Sequence, residues 1–298
     1  MGYIRNQMAS SLRSGRTRTL GVIVGGMSNP YYSVMTDAIQ DEAAKYGYSL
    51  LILCSRDDPD LELQAAEAAM SRQVDGVLLF PCSGSRRTIN RMKAVGMPFV
   101  LMARRFDEAG EDSVVCDEEA GAYLATRHLI EAGRRRLAYL SSYDVLYSSE
   151  QREHGFLRAC AEGGIAQKDV HQALCRENDA IQKQLRLWRS QGVDGLFVFC
   201  DMEAWNVISL LQQDDLRVPR DFAVTGFDNI QGLLPLPSPL CTVDYGLSEM
   251  VHSGIELLRR RIHGEELPPQ TIVFQPHVVC RGSCGRISET NASGGKTE

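Results

Sequence analysis

Two stretches of the chain carry nearly the same sequence. Residues 71–82 read SRQVDGVLLFPC and residues 190–201 read SQGVDGLFVFCD, so in each copy a polar helix end runs through Val-Asp-Gly into a short apolar strand. The copies start 119 residues apart, which is 190 minus 71. A repeat at that distance predicts two similar α/β lobes. Clefts between such lobes commonly bind small molecules, so the repeat points first to a ligand-binding protein.

Strand and helix patterns alternate along the whole chain, and 298 residues are enough for two domains that each bury a core. This order predicts an α/β fold with two doubly wound parallel-sheet lobes and a ligand cleft between them. Strands of the first lobe are predicted at Thr19–Gly25, Ser49–Leu53, Val77–Phe80, Pro98–Met102, Ser113–Cys116 and Leu137–Leu140. In the second lobe the pattern predicts strands at Gly195–Phe199 and Phe222–Phe227, a less regular stretch before Ala180, and a final strand over Thr271–Cys280.

Composition excludes several classes of protein. Apolar residues make up 44% and charged residues 23% of the chain, as in soluble globular proteins. The sequence has no run of 18 apolar residues, which predicts no membrane span, and no apolar segment before residue 20, which predicts no secretory signal. The nine cysteines are irregularly spaced, and several follow strand patterns. They are predicted to be free thiols in a reducing cytoplasm.

The first 36 residues contain four arginines and no acidic residue, although the net charge of the chain is −6. Such an arm suggests contact with a polyanion; on charge alone, a disordered solubilising tail is an equal alternative. Asn6 can cap a short helix in which Met8 and Leu12 share one face. A helix this short needs a partner, either its twin in a dimer or DNA, where an exposed Leu can wedge between base steps.

Functional residues of open parallel sheets lie just past the carboxyl ends of the strands. That rule nominates residues 29–32, 83–85, 104–105, 141–152, 201 and 228–229, a set rich in aromatic, arginine, aspartate and amide side chains. These groups stack on an apolar ring face and hydrogen-bond to polyhydroxyl or heterocyclic edges. Each also has an ordinary structural explanation: Arg104 and Arg105 as a solvated pair, Asp228 as a helix cap.

Signatures of enzymes are absent from the sequence. There is no Gly-rich dinucleotide or phosphate loop and no Gly-x-Ser-x-Gly elbow, and the six histidines are scattered. Cys280 and Cys284 form a lone Cys-x-x-x-Cys, which is a weak zinc signal without a second pair or a nearby histidine. Asp57, Asp58 and Asp60 are interpreted as the start of a helix. The chain is therefore predicted not to be an enzyme and to bind neither a metal nor a cofactor.

The opening segment GYIRNQMASSLRSGRTRTLGVIV resembles the hinge-helix segment of the lac/galactose repressor family of bacterial transcription regulators. Further similar segments are SNPYYSVM, DEEAGAYLATRHLIEAGRRRLAYLS, REHGF, VPRDFAVTGFDNI, PSPLCTV and VVCRGSC, in the same order. The resemblance covers residues 2–284, and its ordered series of motifs is highly specific. It implies the two-lobed fold of type I periplasmic binding proteins, joined to a hinge.

The resemblance also implies DNA contacts by the hinge, through Asn6, Met8, Ala9, Leu12 and Arg13. Family members carry a helix-turn-helix domain ahead of the point where this chain starts, so operator DNA would be read by the full-length protein. The absence reflects a misassigned start, a trimmed chain or a natural truncation. Two smaller departures are Ile4-Arg5, where a basic residue and a Pro are usual, and Cys241, where Thr is usual and little consequence is expected.

For the effector, the resemblance implies contacts from eight residues: Tyr31, Tyr32, Arg104, Arg152, Phe197, Asp201, Trp205 and Asp228. It implies a first lobe of residues 18–142 and 245–271, a second lobe of 143–244 and 272–284, a hinge over 1–17 and a disordered tail over 285–298. The expected function is a cytoplasmic, homodimeric repressor, acting at the nucleoid, whose operator binding is controlled allosterically by a sugar. The alternatives are a periplasmic-type sugar-binding protein of a transporter and a purine- or nucleoside-responsive regulator.

Overall fold

The computed structural model describes residues 16–82, 85–106, 110–143, 147–230 and 239–285. The hinge residues Asn6, Met8, Ala9, Leu12 and Arg13 and almost all of the predicted tail lie outside this range. The chain folds as two compact units, the first running through Val115 and resuming over Leu247–Phe274, the second covering Cys116–Gly246 and continuing from Gln275. No helix in the described ranges has both the length and the apolar character needed to cross a membrane.

The first unit is a six-stranded sheet covered by helices. Its elements are β1 (Thr19–Val24), α1 (Pro30–Ala44), β2 (Ser49–Cys54), α2 (Pro59–Ser71), β3 (Gly76–Leu79), α3 (Arg87–Ala94), β4 (Phe99–Met102) and β5 (Ser113–Cys116). The strand order is β11-β5-β4-β3-β1-β2, with β11 at Thr271–Phe274, and the pairings among β1 to β5 are parallel. Asn29 begins α1 because its side chain accepts a hydrogen bond from the Tyr31 amide. Each helix therefore starts at the carboxyl end of a strand.

The second unit repeats the plan with four parallel strands in the order β7-β6-β8-β9. Its elements are α4 (Glu118–Glu131), β6 (Leu137–Ser141), α5 (Tyr147–Glu162), β7 (Val170–Leu174), α6 (Asn178–Ser190), β8 (Gly195–Val198), α7 (Asp201–Gln213) and β9 (Ala223–Thr225). β10 (Thr242–Asp244) pairs antiparallel with β12 (His277–Val279), while α8 (Leu247–Ile262) belongs to the first unit.

The structure corrects the predicted lobe boundaries. The chain leaves the first unit after Val115 rather than at residue 142, because β6 pairs with β7 and β8 in the second sheet. Only Asp117, the N-cap of α4, separates β5 from that helix, so no turn-rich linker marks the crossing. The later crossings, after Gly246 and Phe274, lie within three residues of the predicted positions.

Two strand predictions are also wrong. β7 occupies the stretch that was predicted to be irregular. The strand was missed because it is a half-exposed edge strand with polar residues and lacks an apolar run. The predicted strand over Thr271–Cys280 is divided into β11 and β12, which lie in different units. Pro276 lies between them and cannot donate a ladder hydrogen bond.

Candidate functional site

Three strand ends of the first unit bring polar side chains together around Arg104. One terminal nitrogen of its guanidinium donates to Asp57 Oδ1 at 2.6 Å and to the Pro81 carbonyl at 3.3 Å, and the other donates to the Tyr32 hydroxyl at 3.0 Å. Gly25 keeps this space open, since a Cβ there would lie 2.6 Å from the Tyr32 hydroxyl. Arg104 and Tyr32, both nominated by the strand-end rule, thus lie in contact with each other.

The Arg104 group remains a cation within reach of solvent. Burial lowers the pKa of its guanidinium, but Tyr32 and Asp57 raise it, and the net pKa lies above the ordinary value. The side chains of Arg104 and Asp57 retain exposures of 13% and 30%. Tyr31 stands edge-on to Tyr32, with ring centroids 5.2 Å apart. This group can offer a ligand charge-assisted hydrogen bonds and aromatic faces.

Asp57 was assigned to a helix start by the sequence analysis, and its role beside Arg104 was missed. Asp58 is the residue that caps α2, accepting hydrogen bonds from the amides of Asp60 and Leu61. Asp57 has a positive φ of 53° and directs its carboxylate to Arg104 instead. Its position just after β2 was a usable signal, because that strand is adjacent to β1 in the sheet.

The corresponding arginine of the second unit, Arg152, is more deeply enclosed. Its Nε donates to Glu118 Oε2 at 2.7 Å, one terminal nitrogen donates to the Phe199 carbonyl, and the other lies 3.6 Å from Asp228 Oδ1. The guanidinium carbon lies 4.4 Å from the ring centre of Phe199 and 3.6 Å from that of Phe227. Two acids and two aromatic rings therefore surround one cation that is 5% exposed.

Burial and neighbouring charges shift the pKa values of Arg152 and Asp228 in this second group. Burial lowers the pKa of Arg152, but Glu118 and Asp228 raise it to a net value above the ordinary one. Burial also raises the pKa of Asp228 well above its usual range, and its backbone adopts a φ of 104°. A non-glycine residue in that conformation is strained, which is typical of functional positions. Asp228 can thus meet a ligand hydroxyl either as an acceptor or, when protonated, as a donor.

Three of the predicted ligand contacts are engaged elsewhere. Phe197 is fully buried and stacks on Tyr139, with ring centroids 5.3 Å apart. Asp201 is also fully buried, and its two oxygens accept hydrogen bonds from the Ile230 amide at 2.9 Å and from Thr242 Oγ1 at 2.5 Å. Trp205 packs against the apolar core on the α6–α7 side of the sheet. All three side chains therefore contribute to packing within the unit, and their assignment to the effector stays a prediction.

Phe199 replaces Phe197 as the aromatic side chain beside the arginine. The two residues are two positions apart, and side chains at that spacing along a strand share a face of the sheet. Phe199, however, lies just past the end of β8, where ligand-contacting residues of such sheets are found. Its ring lies 4.9 Å from that of Tyr143, which follows β6. Glu203 lies nearby in sequence, accepts a hydrogen bond from Ser142 at 2.5 Å, and has its pKa raised by burial to about 7.

A cavity of about 540 Å³ opens in the second unit at the ends of β6 and β7. Its walls include Tyr139, Tyr143, Tyr147, Glu150, Glu153 and Gln172. The Tyr139 hydroxyl is buried and has no hydrogen-bonding partner among the described residues. A cavity of this size, lined by aromatic and polar groups, suits a small ligand.

Comparison with known proteins gives a consistent result. The family model described as periplasmic binding proteins and sugar binding domain of LacI family matches residues 17–185, and the model described as a periplasmic binding protein-like domain matches residues 126–284. The HTH-type transcriptional repressor PurR of Aliivibrio fischeri is 29% identical over 292 residues, which cover 95% of this chain and 86% of that protein.

Two further relatives extend this pattern. The ribose operon repressor of Haemophilus influenzae is 28% identical over 286 residues, with 95% of this chain and 86% of that protein covered. Among solved structures, a LacI family transcriptional regulator from Enterococcus faecium with bound ribose superimposes with a TM-score of 0.78 at 22% identity. That superposition covers 88% of this chain and 97% of the other, and shows the shared fold.

Proposed function

The chain belongs to the periplasmic-binding-protein-like family that includes the sugar-binding domains of LacI-type regulators, and we propose that it is the effector-binding part of a bacterial transcriptional repressor. The observation that carries the proposal is the pair of arginine-centred groups. Each unit holds an arginine, with a carboxylate and aromatic rings, at the carboxyl ends of its parallel strands. The relatives named as repressors support the regulatory role.

The effector that these groups fit best is a small sugar. Arginine and carboxylate groups donate to and accept from hydroxyls, and an aromatic ring can cover the apolar face of a pyranose or furanose. We assign the contacts to Tyr31, Tyr32 and Arg104 in the first unit and to Arg152, Phe199 and Asp228 in the second. The ribose bound to the regulator from Enterococcus faecium is a precedent within the fold.

Control of transcription would follow from differential affinity. An effector that binds one of two states of a cytoplasmic homodimer more tightly favours that state, and the two states differ in affinity for operator DNA. By linkage, DNA and effector change each other's affinity by the same factor. In this proposal the hinge residues, from Asn6 to Arg13, transmit the change to the DNA.

A purine is the second candidate effector. The similarity to the repressor PurR of Aliivibrio fischeri favours it, since that relative is 29% identical over 95% of this chain. The paired rings of Tyr31 and Tyr32, and those of Tyr143 and Phe199, can also stack on a planar base. With a purine effector, the identity of the ligand would differ and the proposed regulatory mechanism would be the same.

Isothermal titration of the chain with monosaccharides, disaccharides, sugar phosphates and nucleobases tests both candidates. We expect a sugar to bind and Arg104→Ala to weaken that binding by about tenfold or more, since a charge-assisted hydrogen bond is lost. Arg91→Ala serves as the matched control, because Arg91 is a half-exposed residue of the same unit that pairs only loosely with Glu67, at 3.7 Å. Binding of nucleobases alone would identify the purine class, and binding of none of these compounds would contradict the proposal.

A further inference from the structure

Three cysteines and one histidine, distant in sequence, meet in the second unit. His128 lies on α4, Cys241 immediately precedes β10, and Cys280 and Cys284 follow β12. The imidazole nitrogen and the three sulfurs all lie within 4.8 Å of one another. We call these four residues the Cys₃His cluster. It shares no residue with the two arginine-centred groups described above.

The sulfur positions match those of a metal site. Cys241 Sγ lies 3.7 Å from Cys280 Sγ, which lies 3.6 Å from Cys284 Sγ. Sulfurs bound at about 2.3 Å to one tetrahedral zinc ion are about 3.8 Å apart. A disulfide would need a sulfur separation of about 2.05 Å, so the cluster has the spacing of ligands around an ion.

His128 provides a second, independent observation. Its Nε2 atom is buried and has no hydrogen-bonding partner among the described residues. A buried polar atom without a partner costs free energy, and native proteins rarely retain one without a reason. A metal ion bound by this nitrogen would remove the cost, because neutral imidazole is a common zinc ligand.

Contacts from neighbouring residues help to position the sulfurs. Gly282 adopts a φ of 104°, which lets the chain turn sharply between Cys280 and Cys284. Ser283 Oγ donates to the Val224 carbonyl at 2.6 Å and accepts from the Cys241 amide at 2.7 Å. The Arg281 amide donates to Cys241 Sγ at 3.3 Å, a contact that also stabilises a thiolate. Such outer contacts are characteristic of built metal sites.

We propose that His128, Cys241, Cys280 and Cys284 bind one zinc ion. Thiolates and imidazole form a soft ligand set that favours zinc over calcium or magnesium. Four protein ligands leave no open coordination position, so the ion is structural rather than catalytic. Each coordinating thiol gives its proton to solvent as its sulfur bonds the metal, and no oxidant or reductant is required.

The zinc would fasten three separate parts of the second unit. It links α4, the residue before β10 and the loop after β12. The same loop holds the strained turn at residues 228–229, because Arg281 donates to Asn229 Oδ1 at 2.6 Å. Loss of the ion should therefore loosen the backbone that carries Asp228.

Metal analysis of the full chain, purified with reductant and without chelator, tests the proposal. We expect about one zinc per chain in the wild type. Cys280→Ser should abolish the stoichiometric zinc, whereas Cys175→Ser should retain it. Cys175 is the matched control because it is also half-buried in the second unit and lies outside the cluster. Reconstitution with cobalt should give the visible absorption of tetrahedral, thiolate-bound Co²⁺ in the wild type and in Cys175→Ser.

A stability measurement guards against misfolding of Cys280→Ser. Chelator should lower the unfolding midpoint of the wild type and of Cys175→Ser and leave that of Cys280→Ser unchanged. The proposal is overturned if wild-type protein contains no stoichiometric metal and gives no thiolate–cobalt absorption. It is equally overturned if mass spectrometry under reducing conditions shows two of the three cysteines joined as a disulfide.

Discussion

The two units place an arginine at equivalent ends of similar sheets but surround it differently. Arg104 of the first unit has one carboxylate partner, Asp57, and both side chains keep some exposure to solvent. Arg152 of the second unit has two acids, Glu118 and Asp228, at 2.7 and 3.6 Å, and its guanidinium lies between two phenylalanine rings. One arrangement is open to a ligand, while the other is nearly complete without one.

This difference indicates that the two arginines have different roles. An ion pair that water can reach adds little to stability, so in our proposal the main role of Arg104 is recognition of the effector. A buried cation with two buried acids cannot be removed without leaving those acids unpaired. Arg152 therefore contributes to the stability of its unit as well as to any ligand it contacts.

The largest expected effect comes from removing each arginine in turn. Arg152→Ala should lower the free energy of unfolding by about 3–5 kcal/mol, because Glu118 and Asp228 lose their buried partner. Arg104→Ala should cost only about 1 kcal/mol, since Asp57 can be hydrated. Far-ultraviolet circular dichroism in urea follows both units and so measures both variants. Both tryptophans, Trp188 and Trp205, lie in the second unit, so their fluorescence reports on that unit alone.

Low pH provides the control for this comparison. If a stranded Asp228 carboxylate causes the Arg152→Ala defect, the difference from wild type should shrink as the pH is lowered from 8 to 5, because burial already raises the pKa of Asp228 well above its usual range. A defect that is constant across this range would assign the loss to packing against the two phenylalanine rings instead. Equal losses for the two arginine variants would remove the contrast between the units.

The pattern of strands and helices was largely predictable because apolar runs and helix caps are local. Thr19–Val24 is a continuous buried run, and Leu247–Ile262 has helical spacing from end to end. The unit boundary at Val115 was not predictable, because the pairing of β6 with β7 and β8 depends on tertiary structure and is not indicated by the local sequence. Edge strand β7 was missed for a related reason, since its polar residues form no apolar run.

The second comparison between the units concerns carboxyl groups with raised pKa values. Among the described residues, the carboxyls with raised pKa values are Asp201, Glu203 and Asp228, all in the second unit, and burial is the largest cause for each. Burial raises the pKa of Asp201 to about 7 from 3.8, so between these values the folded unit binds more protons than the unfolded chain. Stability of the second unit should therefore fall as pH rises from about 4 to about 7 and then level off.

Asp201→Asn should flatten this pH dependence, because the amide cannot ionise. At about 1.4 kcal/mol per pKa unit, Asp201 alone can account for up to about 4 kcal/mol of the change. Tryptophan fluorescence measured in urea at a series of pH values checks the slope. A wild-type slope of the opposite sign would show that hydrogen bonds from Thr242 and Ile230 outweigh burial at this carboxylate.

Two helical glycines give a third, smaller contrast. A Cβ on Gly155 of α5 would overlap the backbone carbonyl of Glu119 on α4, and backbone cannot easily move. Gly155→Ala should cost about 2–3 kcal/mol from overpacking. In the first unit, a Cβ on Gly254 would lie 2.5 Å from the sulfur of Met102, at the flexible end of a side chain. Gly254→Ala should stay within about 1 kcal/mol of wild type, because better helix propensity offsets the contact.

The measurement for these glycine variants uses two probes. Tryptophan fluorescence should register the loss in Gly155→Ala, and far-ultraviolet circular dichroism should follow both units in either variant. An unchanged unfolding midpoint for Gly155→Ala would mean that α4 and α5 separate at little cost.

The site was less predictable than the fold because its residues come from separate strand ends. Arg104 and Arg152 were nominated from strand position and from the resemblance, but Asp57 was assigned to a cap because the neighbouring Asp58 fills that role. The Cys₃His cluster was not recognised for a similar reason. Cys280 and Cys284 alone are a weak signal, and no spacing rule connects them with His128 or Cys241 before the chain is folded.

The smallest predicted effect comes from replacing two phenylalanines of the second unit, which we expect to have different roles. Phe199→Leu should weaken effector binding by about tenfold or less, because its ring contacts Arg152 and Tyr143 at the strand end, and such contacts are worth about 0.5–1.5 kcal/mol. Phe197→Leu should leave the affinity unchanged and lower the unfolding midpoint instead, since this ring is fully buried against Tyr139. Titration calorimetry and urea unfolding on both variants give the test. If Phe197→Leu alone changed the affinity, the pocket would extend into the core of the second unit, and Phe199 would serve only to enclose Arg152.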